Sequence, residues 1–451
     1  MGHRIQNFEA LAENELRTDA LEIAEAGYAA INVGAALERK LRILNDELRS
    51  EGKTYSLLGR RIFFVGVGKC AFAAATALEE LLGERLTGGI ALAPLETPTG
   101  SRPGLSESLS LTGRDVSSSG KIEMFVGTHP LPSEVNEAAT KRIIEFLAER
   151  RESDLVIMLI SGGGSTLLCL HDAPMTCLDE STLFGELTAK GATIQDINTV
   201  RKHISLARGG ALAKAAYPAE VVSLIVSDVP GNDIGFIASG PTVLDSSTVD
   251  DARAILAKYD ITASANIEFL ETPKEQKYFD RVANVLFLSS QDALAAMKDE
   301  AEKRGYATAI IDDHFDGEAR GTGRVVVEKL HDVPAKTALL YAGESTVMMD
   351  TMCPSIPGSG GRNQEMALAA LEYLNPDELI MPFASDGHDN TDFAGAISDE
   401  TTRVHALAKN VSVEEYLNAH RSYDFFTATG DALRTGYTGS NVSDLIIALK
   451  K

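Results

Sequence analysis

The sequence predicts an α/β protein of more than one domain, and three observations predict it. Short apolar runs dense in β-formers recur along the chain, each too short to cross a membrane. Each suits a strand buried on both faces of a parallel sheet. Most of these runs stop at a small-residue turn and pass into a helical pattern, the alternation expected of α/β folds. At 451 residues the chain exceeds what one core usually supports, which suggests two or three domains.

The clearest run is Leu155 to Ile160, which ends abruptly at Ser161-Gly162-Gly163-Gly164-Ser165. Three glycines allow close approach of the backbone, and their N–H groups can converge on an anion. A helix starting near Ser165 would point its positive end the same way. A phosphate or carboxylate cradle and a bare β-to-α turn both fit this stretch.

The helical stripe Leu21, Ala24, Tyr28, Ile31 and then Leu37, Leu41, Leu44, Leu48 predicts helices over residues 8 to 50, as packing faces without chemistry. Ile62 to Val65 reads as a strand, Gly66-Val67-Gly68-Lys69 as its loop, and Cys70 to Leu82 as an Ala-rich helix. A Walker A loop fails, because Phe63 and Cys70 stand where glycine and a hydroxyl residue are needed. A dinucleotide fingerprint nearly fits through Gly66, Gly68 and Ala71. The acidic residue due at the end of the next strand is missing, for Gly89 to Ala93 ends in Pro94 with Glu96 beyond. Lys69 at a strand end suits a charged substrate or a transferring phosphoryl group, and equally an ordinary surface.

Thr97 to Gly120 is rich in Ser, Gly, Pro and Thr and reads as a lid or an insertion. Strand Ile122 to Val126 follows, then His129 before Pro130, and a helix capped at Ser133. The densest basic cluster is Asn198, Arg201, Lys202, His203 and Arg208, a candidate polyanion contact or a solvated helix face. Asp228, straight after the buried run Val221 to Val226, stands where a magnesium ligand, a base or a turn aspartate is found. Ser239-Gly240-Pro241-Thr242 follows closely.

Charged, weakly patterned residues from Tyr259 to Asp280 mark the domain boundary. Beyond it, strands at Val285 to Leu288, Ala307 to Ile311, Ala338 to Ala342 and Leu379 to Phe383 alternate with helices from Asp292 and Glu318. Gly361-Arg362-Asn363-Gln364-Glu365 is a second glycine-led anion candidate that opens a helix. Asp386, Asp389 and Asp392 suggest a metal or a hydroxyl-rich ligand, although the glutamate an EF-hand needs is Ile397.

Composition excludes several classes. Apolar residues make up 44% and charged residues 24%, as in soluble globular proteins. Lys plus Arg number 42 against 65 Asp plus Glu, a net charge of -23, which argues against non-specific nucleic-acid or anionic-membrane binding. Cys70, Cys169, Cys177 and Cys353 show no C-x-x-C pairing, so structural zinc and a disulfide scaffold are not expected and a reducing compartment is. No signal-peptide core begins the chain, and no apolar run nears the ~18 residues of a membrane span. A cytoplasmic protein is expected.

Together the segments Gly66-Val-Gly-Lys69, His129-Pro-Leu-Pro132, Ile160 to Ser165, Asn198 to His203, Ser227-Asp-Val-Pro-Gly231, Ala238 to Thr242, Gly361 to Glu365 and Ser385-Asp-Gly387 resemble one family. It is the class II glycerate kinases (glycerate 2-kinases), whose C-terminal half is called MOFRL. The resemblance spans most of the chain in one order. It implies an N-terminal Rossmann-like α/β/α sandwich with a mostly parallel sheet over residues 1–262. A C-terminal MOFRL-type α/β domain with a mixed sheet would cover 281–451, and the two would close over a cleft. It also implies phosphoryl transfer from ATP to the 2-hydroxyl of D-glycerate with Mg2+ or another divalent cation, and leaves room for a homodimer. Lys69 and Arg362 would be active-site groups, with Asp228 and Asp386 as metal ligands or base. The candidate substrate- and nucleotide-binding residues are Gly66, Gly68, His129, Ser161, Gly162, Gly163, Gly164, Ser165, Asn198, Arg201, Lys202, Ser239, Gly240, Thr242, Glu344, Gly361, Asn363, Glu365 and Asp389. Two departures stand out: Val67 where members usually carry Ala, and Asn390-Thr391-Asp392 where they carry Gly-Pro-Thr-Asp. A nicotinamide-dependent hydroxypyruvate reductase and a non-catalytic small-anion binding protein are the rival readings.

Overall fold

Leu155–Ile160 forms the expected strand, and every one of its residues is buried. It belongs to a computed structural model that describes all residues except 1, 51, 95–113, 118, 173, 262–266 and 350–357. The expected lid at Thr97 to Gly120 therefore lies largely outside the described residues. In chain order the strands are β1 Leu41–Leu44, β2 Glu47–Ser50, β3 Lys53–Ser56, β4 Ile62–Val67, β5 Leu86–Pro94, β6 Arg114–Val116, β7 Ile122–Gly127 and β8 Leu155–Ile160. They continue as β9 Glu220–Val226, β10 Val282–Leu288, β11 Ala307–Phe315, β12 Thr337–Gly343, β13 Glu378–Ala384, β14 Gly395–Ala396, β15 Ala432–Leu433 and β16 Asp444–Lys450.

One unit comprises Val33–Phe287. Its main sheet has the order β10-β9-β8-β4-β5-β7-β6. Strands β9, β8, β4, β5 and β7 run parallel, and β6 is antiparallel to β7. Alternate residues of β4 (Phe63, Val65 and Val67) pack in the core that also holds Ala139 and Ile143 of one helix and Leu212 of another. On the opposite face, a Cβ on Gly66 would lie 3.1 Å from the Cβ of Ala71, so the helix Ala71–Leu82 sits close over the strand end. Helices on both faces of a parallel sheet follow from strands that are apolar on both sides.

Residues 41–56 correct the helical expectation for this stretch. They form an antiparallel meander, β1-β2-β3. Asn45 and Asp46 both take positive φ, 50° and 58°, which suits the tight turn of a two-residue hairpin and ends the helix Val33–Lys40 before β1. The spacing of Leu41, Leu44 and Leu48 matched a helix, but turn chemistry overrode periodicity.

The other unit comprises Met1–Asn32 with Leu288–Lys451. Its sheet, β11-β12-β16-β13-β14-β15, is mixed: β11 is parallel to β12, and β16 is antiparallel to both β12 and β13. The division differs from the expected 1–262 and 281–451 because the first helical stripe finds its partners late in the chain. Helix Glu15–Ile31 packs against helix Ser290–Lys303. Tyr28 donates its hydroxyl to the Ala384 carbonyl at 3.0 Å. The fully buried Arg17 reaches Asp399 at 2.7 Å and Asp431 at 2.8 Å. A buried guanidinium needs such paired carboxylates.

The cysteines also depart from expectation. Cys169 and Cys177 are disulfide-bonded, eight residues apart and outside any C-x-x-C pattern. Among the described residues no helix is long and apolar enough to cross a membrane.

Candidate active site

Chain order along the parallel sheet reverses between β4 and β8. From β4 the chain moves outward through β5 to β7, then returns to β8 on the other side of β4 and continues to β9. Ligands bind at such a switch point, beyond the carboxyl ends of the strands. Gly66 to Lys69 and Ser161 to Ser165 leave the sheet there, side by side, with Val67 paired to Ile160.

The two loops are stitched together by backbone. Lys69 donates its N–H to Gly162 O at 2.9 Å, Ser161 to Val67 O at 2.9 Å, and Gly68 to Leu92 O at 3.0 Å. Cys70 donates to the Ser161 hydroxyl at 3.1 Å. Gly68 (φ 109°) must be glycine on two counts, since a Cβ would meet Ser161 Oγ at 2.3 Å and Ser161 O at 2.4 Å. Ser161, expected to touch a ligand, is buried and spends its hydroxyl on Cys70 and Val67. Gly164 donates to Ser161 O, which leaves Gly162, Gly163 and Ser165 as the amides the turn can present. The helix after it, Gly164–Leu167, is a single turn, so its dipole contributes less than a full helix would.

Side chains gather around this turn. A Cβ on Gly163 would lie 3.5 Å from the His129 ring and 3.6 Å from Lys69 Cγ, so both groups flank it. Asn136, which the sequence reading passed over, holds the His129 loop: it accepts from Thr128 N–H at 2.8 Å and donates to Thr128 O at 3.0 Å. Ser165 and Ser239 share a hydroxyl contact at 3.0 Å, and Ser239 donates to Asn198 at 2.9 Å. Ala238, Ser239 and Gly240 all have positive φ, a strained turn that carries Ser239 to this position. Thr242 instead bonds Asn284 at 2.7 Å and Ser223 at 3.1 Å.

The basic cluster is largely neutralised from within. Lys202 pairs with Asp245 at 3.1 Å. His203 bonds the Leu270 carbonyl and Ser247. Arg208 holds Glu180 with two bonds of 2.9 Å. Burial would raise Glu180, but the charges of Arg208 and Arg201 and the bond from His171 hold it down to about 2. Arg201 stacks on Phe184 and has only a 3.9 Å approach to Glu180. Burial and neighbouring Arg208 pull it down to about 10.

In the other unit, the antiparallel pairing of β16 with β12 and β13 sets Asp444 opposite both Gly343 and Ala384. Arg362, first residue of helix Arg362–Ala370, bonds Asp444 through Nε at 2.5 Å and through its terminal nitrogen at 3.2 Å, and it also donates to Glu344. Burial lifts Asp444 to about 7 against the pull of Arg362, with Asp389 and Glu344 adding repulsion. Arg362 is held above its ordinary range: burial lowers it, but Asp444 and Glu344 outweigh that. Asp444 is the group the sequence reading missed; its one signal is a carboxylate directly before the buried run Leu445 to Leu449.

The aspartates expected to converge serve separate partners. Asp389 caps the Arg362 helix, accepting from Asn363 and Gln364 N–H at 3.1 and 2.8 Å, and burial raises it above the usual carboxylate range. Gly361 must be glycine here, because a Cβ would strike Asp389 within 2.4 Å. Asp386 accepts from His388 N–H at 3.0 Å, and Asp392 pairs with Arg434. Glu365 is buried against Arg320 and His420. The three His/Cys/Asp/Glu clusters found among the described residues include neither Asp228 nor Asp386.

Known proteins resemble this chain over both units. A domain family of unknown function, DUF4147, matches residues 19–271, and the MOFRL family matches 337–444. The chain is 33% identical over 444 residues to the D-glycerate 2-kinase of Thermotoga maritima, covering 96% of this chain and 98% of that protein. The chain belongs to the glycerate 2-kinase family. The crystal structure of a Thermotoga maritima glycerate kinase superposes with a TM-score of 0.79 at 31% identity, over 97% of this chain and 99% of that one. An Agrobacterium vitis protein named as a putative hydroxypyruvate reductase is 39% identical over 341 residues, covering 72% of this chain and 77% of its own.

Proposed function

We propose that the chain is an enzyme that transfers the γ-phosphoryl group of ATP to the 2-hydroxyl of D-glycerate, giving 2-phosphoglycerate and ADP. The observation that carries this reading is the glycine turn Ser161–Ser165 flanked by Lys69 and His129 at a sheet switch point, in a member of the glycerate 2-kinase family. The 2-oxygen attacks phosphorus, the bond to the bridging oxygen breaks, and ADP leaves with the electron pair. Charge spreads over the equatorial oxygens, so fixed positive groups and amides lower the barrier. Lys69 neutralises the charge of an anion held by the amides of Gly162, Gly163 and Ser165, and Arg362 is the charged group of the other unit. Asp386 or Asp228 accepts the hydroxyl proton.

Magnesium commonly uses one or two carboxylates plus substrate phosphates rather than a cage of protein ligands, so single aspartates at strand ends fit it. Asp228 or Asp386 would hold it, and when bound it would supply charge neutralisation for the phosphoryl transfer. A cytoplasmic location and a homodimer belong to the same proposal, to be checked by fractionation and light scattering.

The test is an ADP-release assay with D-glycerate, ATP and magnesium, with the product resolved by phosphorus NMR. Wild type should give 2-phosphoglycerate, with kcat/KM lower by roughly 10²–10³ in Lys69→Ala and Arg362→Ala. Formation of the 3-phosphate would overturn the position of transfer.

The Agrobacterium vitis relative favours a second reading, a nicotinamide-dependent reductase. It meets two obstacles. The amides of Gly68, Lys69 and Cys70, which a dinucleotide pyrophosphate would use, are taken by Leu92, Gly162 and Ser161. Strand β5 carries no carboxylate for a ribose. Tight NADH binding without ATP turnover would favour the reductase.

A further inference from the structure

Beyond the switch-point loops, two short segments bring four ligand-type side chains to one buried place. After the turn Gly164–Leu167 the chain passes through Cys169 and His171, then enters the helix Cys177–Ala189 with Thr176 as its cap. Cys177 and Glu180, three apart on that helix, share a face. The spacing is C-x-H followed by C-x-x-E. All four residues are buried. The sulfur and nitrogen atoms of Cys169, His171 and Cys177 lie within 4.8 Å of one another. Glu180 Oε2 is 2.5 Å from His171 Nε2 and 3.7 Å from Cys169 Sγ.

We propose that Cys169, His171 and Cys177, with Glu180 as fourth ligand or as the carboxylate orienting the imidazole, form a binding site for a zinc-type divalent cation in the thiol form of the chain. The disulfide is the metal-free, oxidised form of the same site. Two thiolates and an imidazole are the donor set that selects zinc over magnesium, and four ligands match its tetrahedral preference. A carboxylate on the second imidazole nitrogen is the usual support for a histidine ligand. Charge also favours the site. Two thiolates and Glu180 would carry three negative charges, which a divalent ion and Arg208 would balance. Without a cation, a buried pair of thiolates beside Glu180 would be strongly disfavoured.

Opening the bond with a phosphine consumes one water: the phosphine becomes its oxide, and each sulfur gains a proton. On binding, the cation displaces both thiol protons to solvent. The site is separate from the magnesium chemistry proposed above. It would brace the helix start against Cys169, beside the Glu180–Arg208 pair.

The test uses the full chain, reduced anaerobically with a phosphine, stripped with a chelator and titrated with Co2+ as probe. The expected result is one equivalent bound with a thiolate-to-cobalt charge-transfer band, displaced by Zn2+ and lost in Cys169→Ser and Cys177→Ser. His171→Ala should weaken binding at least tenfold while keeping part of the band. Should the cysteine variants fail to fold by circular dichroism, the wild-type spectrum and its stoichiometry decide. Reduced protein with two newly titratable thiols but no charge-transfer band would overturn the proposal and leave a disulfide alone. A pair that the phosphine does not open would overturn it equally.

Discussion

Replacing Gly68 by alanine tests whether the two switch-point loops form one rigid unit. The residue has φ 109°, and a Cβ would sit 2.3 Å from Ser161 Oγ, 2.4 Å from Ser161 O and 2.8 Å from Gly162 O. Two of these are backbone atoms, and the third is a buried hydroxyl already bonded on both sides. Left-handed backbone costs a side chain about 1–2 kcal/mol. Forcing an extra methyl into a packed site adds about 1–3 kcal/mol. The total, about 2–5 kcal/mol, is a large share of a typical domain's stability. The control is Gly59→Ala in the same unit, which has φ 69° and nothing within 4 Å of a Cβ; it should lose only the backbone part. The chain has no tryptophan, so urea unfolding is followed by far-UV circular dichroism. Relief of the clash would also pull Lys69 N–H from Gly162 O, and a shift of about 1 Å at a positioning group costs on the order of 100-fold in rate. Equal unfolding midpoints for the two variants, or full kcat/KM in Gly68→Ala, would refute the account of the stitched loops.

Two further outcomes follow from the other unit. Unfolded, Asp444 titrates near 3.8, and folded it is lifted to about 7. Between these values the folded chain holds the extra proton, so the Asp444 contribution to stability is full below about pH 4 and is lost as pH rises through about 7. Asp444→Asn should flatten that fall in urea midpoints measured across the range, and an unchanged slope would show that Asp444 is ionised throughout. Asp386→Asn should lower kcat and raise the magnesium concentration for half-maximal rate; unchanged turnover and metal dependence would remove Asp386 from both proposed roles.

Much of the parallel sheet was legible because its information is local. Leu155 to Ile160 reads as a buried strand from six consecutive apolar residues, and Ser161 to Ser165 as a turn from its glycines. Ser133 and Glu318 stand at helix starts as expected, although the Ser133 side chain makes no cap hydrogen bond and Glu318 accepts from Gly321 N–H. The meander was less legible, because Leu41, Leu44 and Leu48 satisfy helical spacing while the turn at Asn45-Asp46 decides the outcome. Of the basic cluster, charge was visible but its neutralisation by Glu180 and Asp245 was not.

The sequence by itself determined the α/β class, the apolar strand runs such as Leu155 to Ile160, and the loops bearing Lys69, the glycine turn and Arg362, since these depend on residue types within one element and its turn. Only the tertiary structure decided that β4 and β8 are neighbours at a switch point, and that the N-terminal helix docks with the C-terminal sheet. It alone set Asp444 on Arg362 and brought Cys169 to Cys177 beside His171. These pairings join segments whose separation carries no period. A charged or thiol side chain acquires its partner from the strand order and helix docking that burial of the whole core imposes.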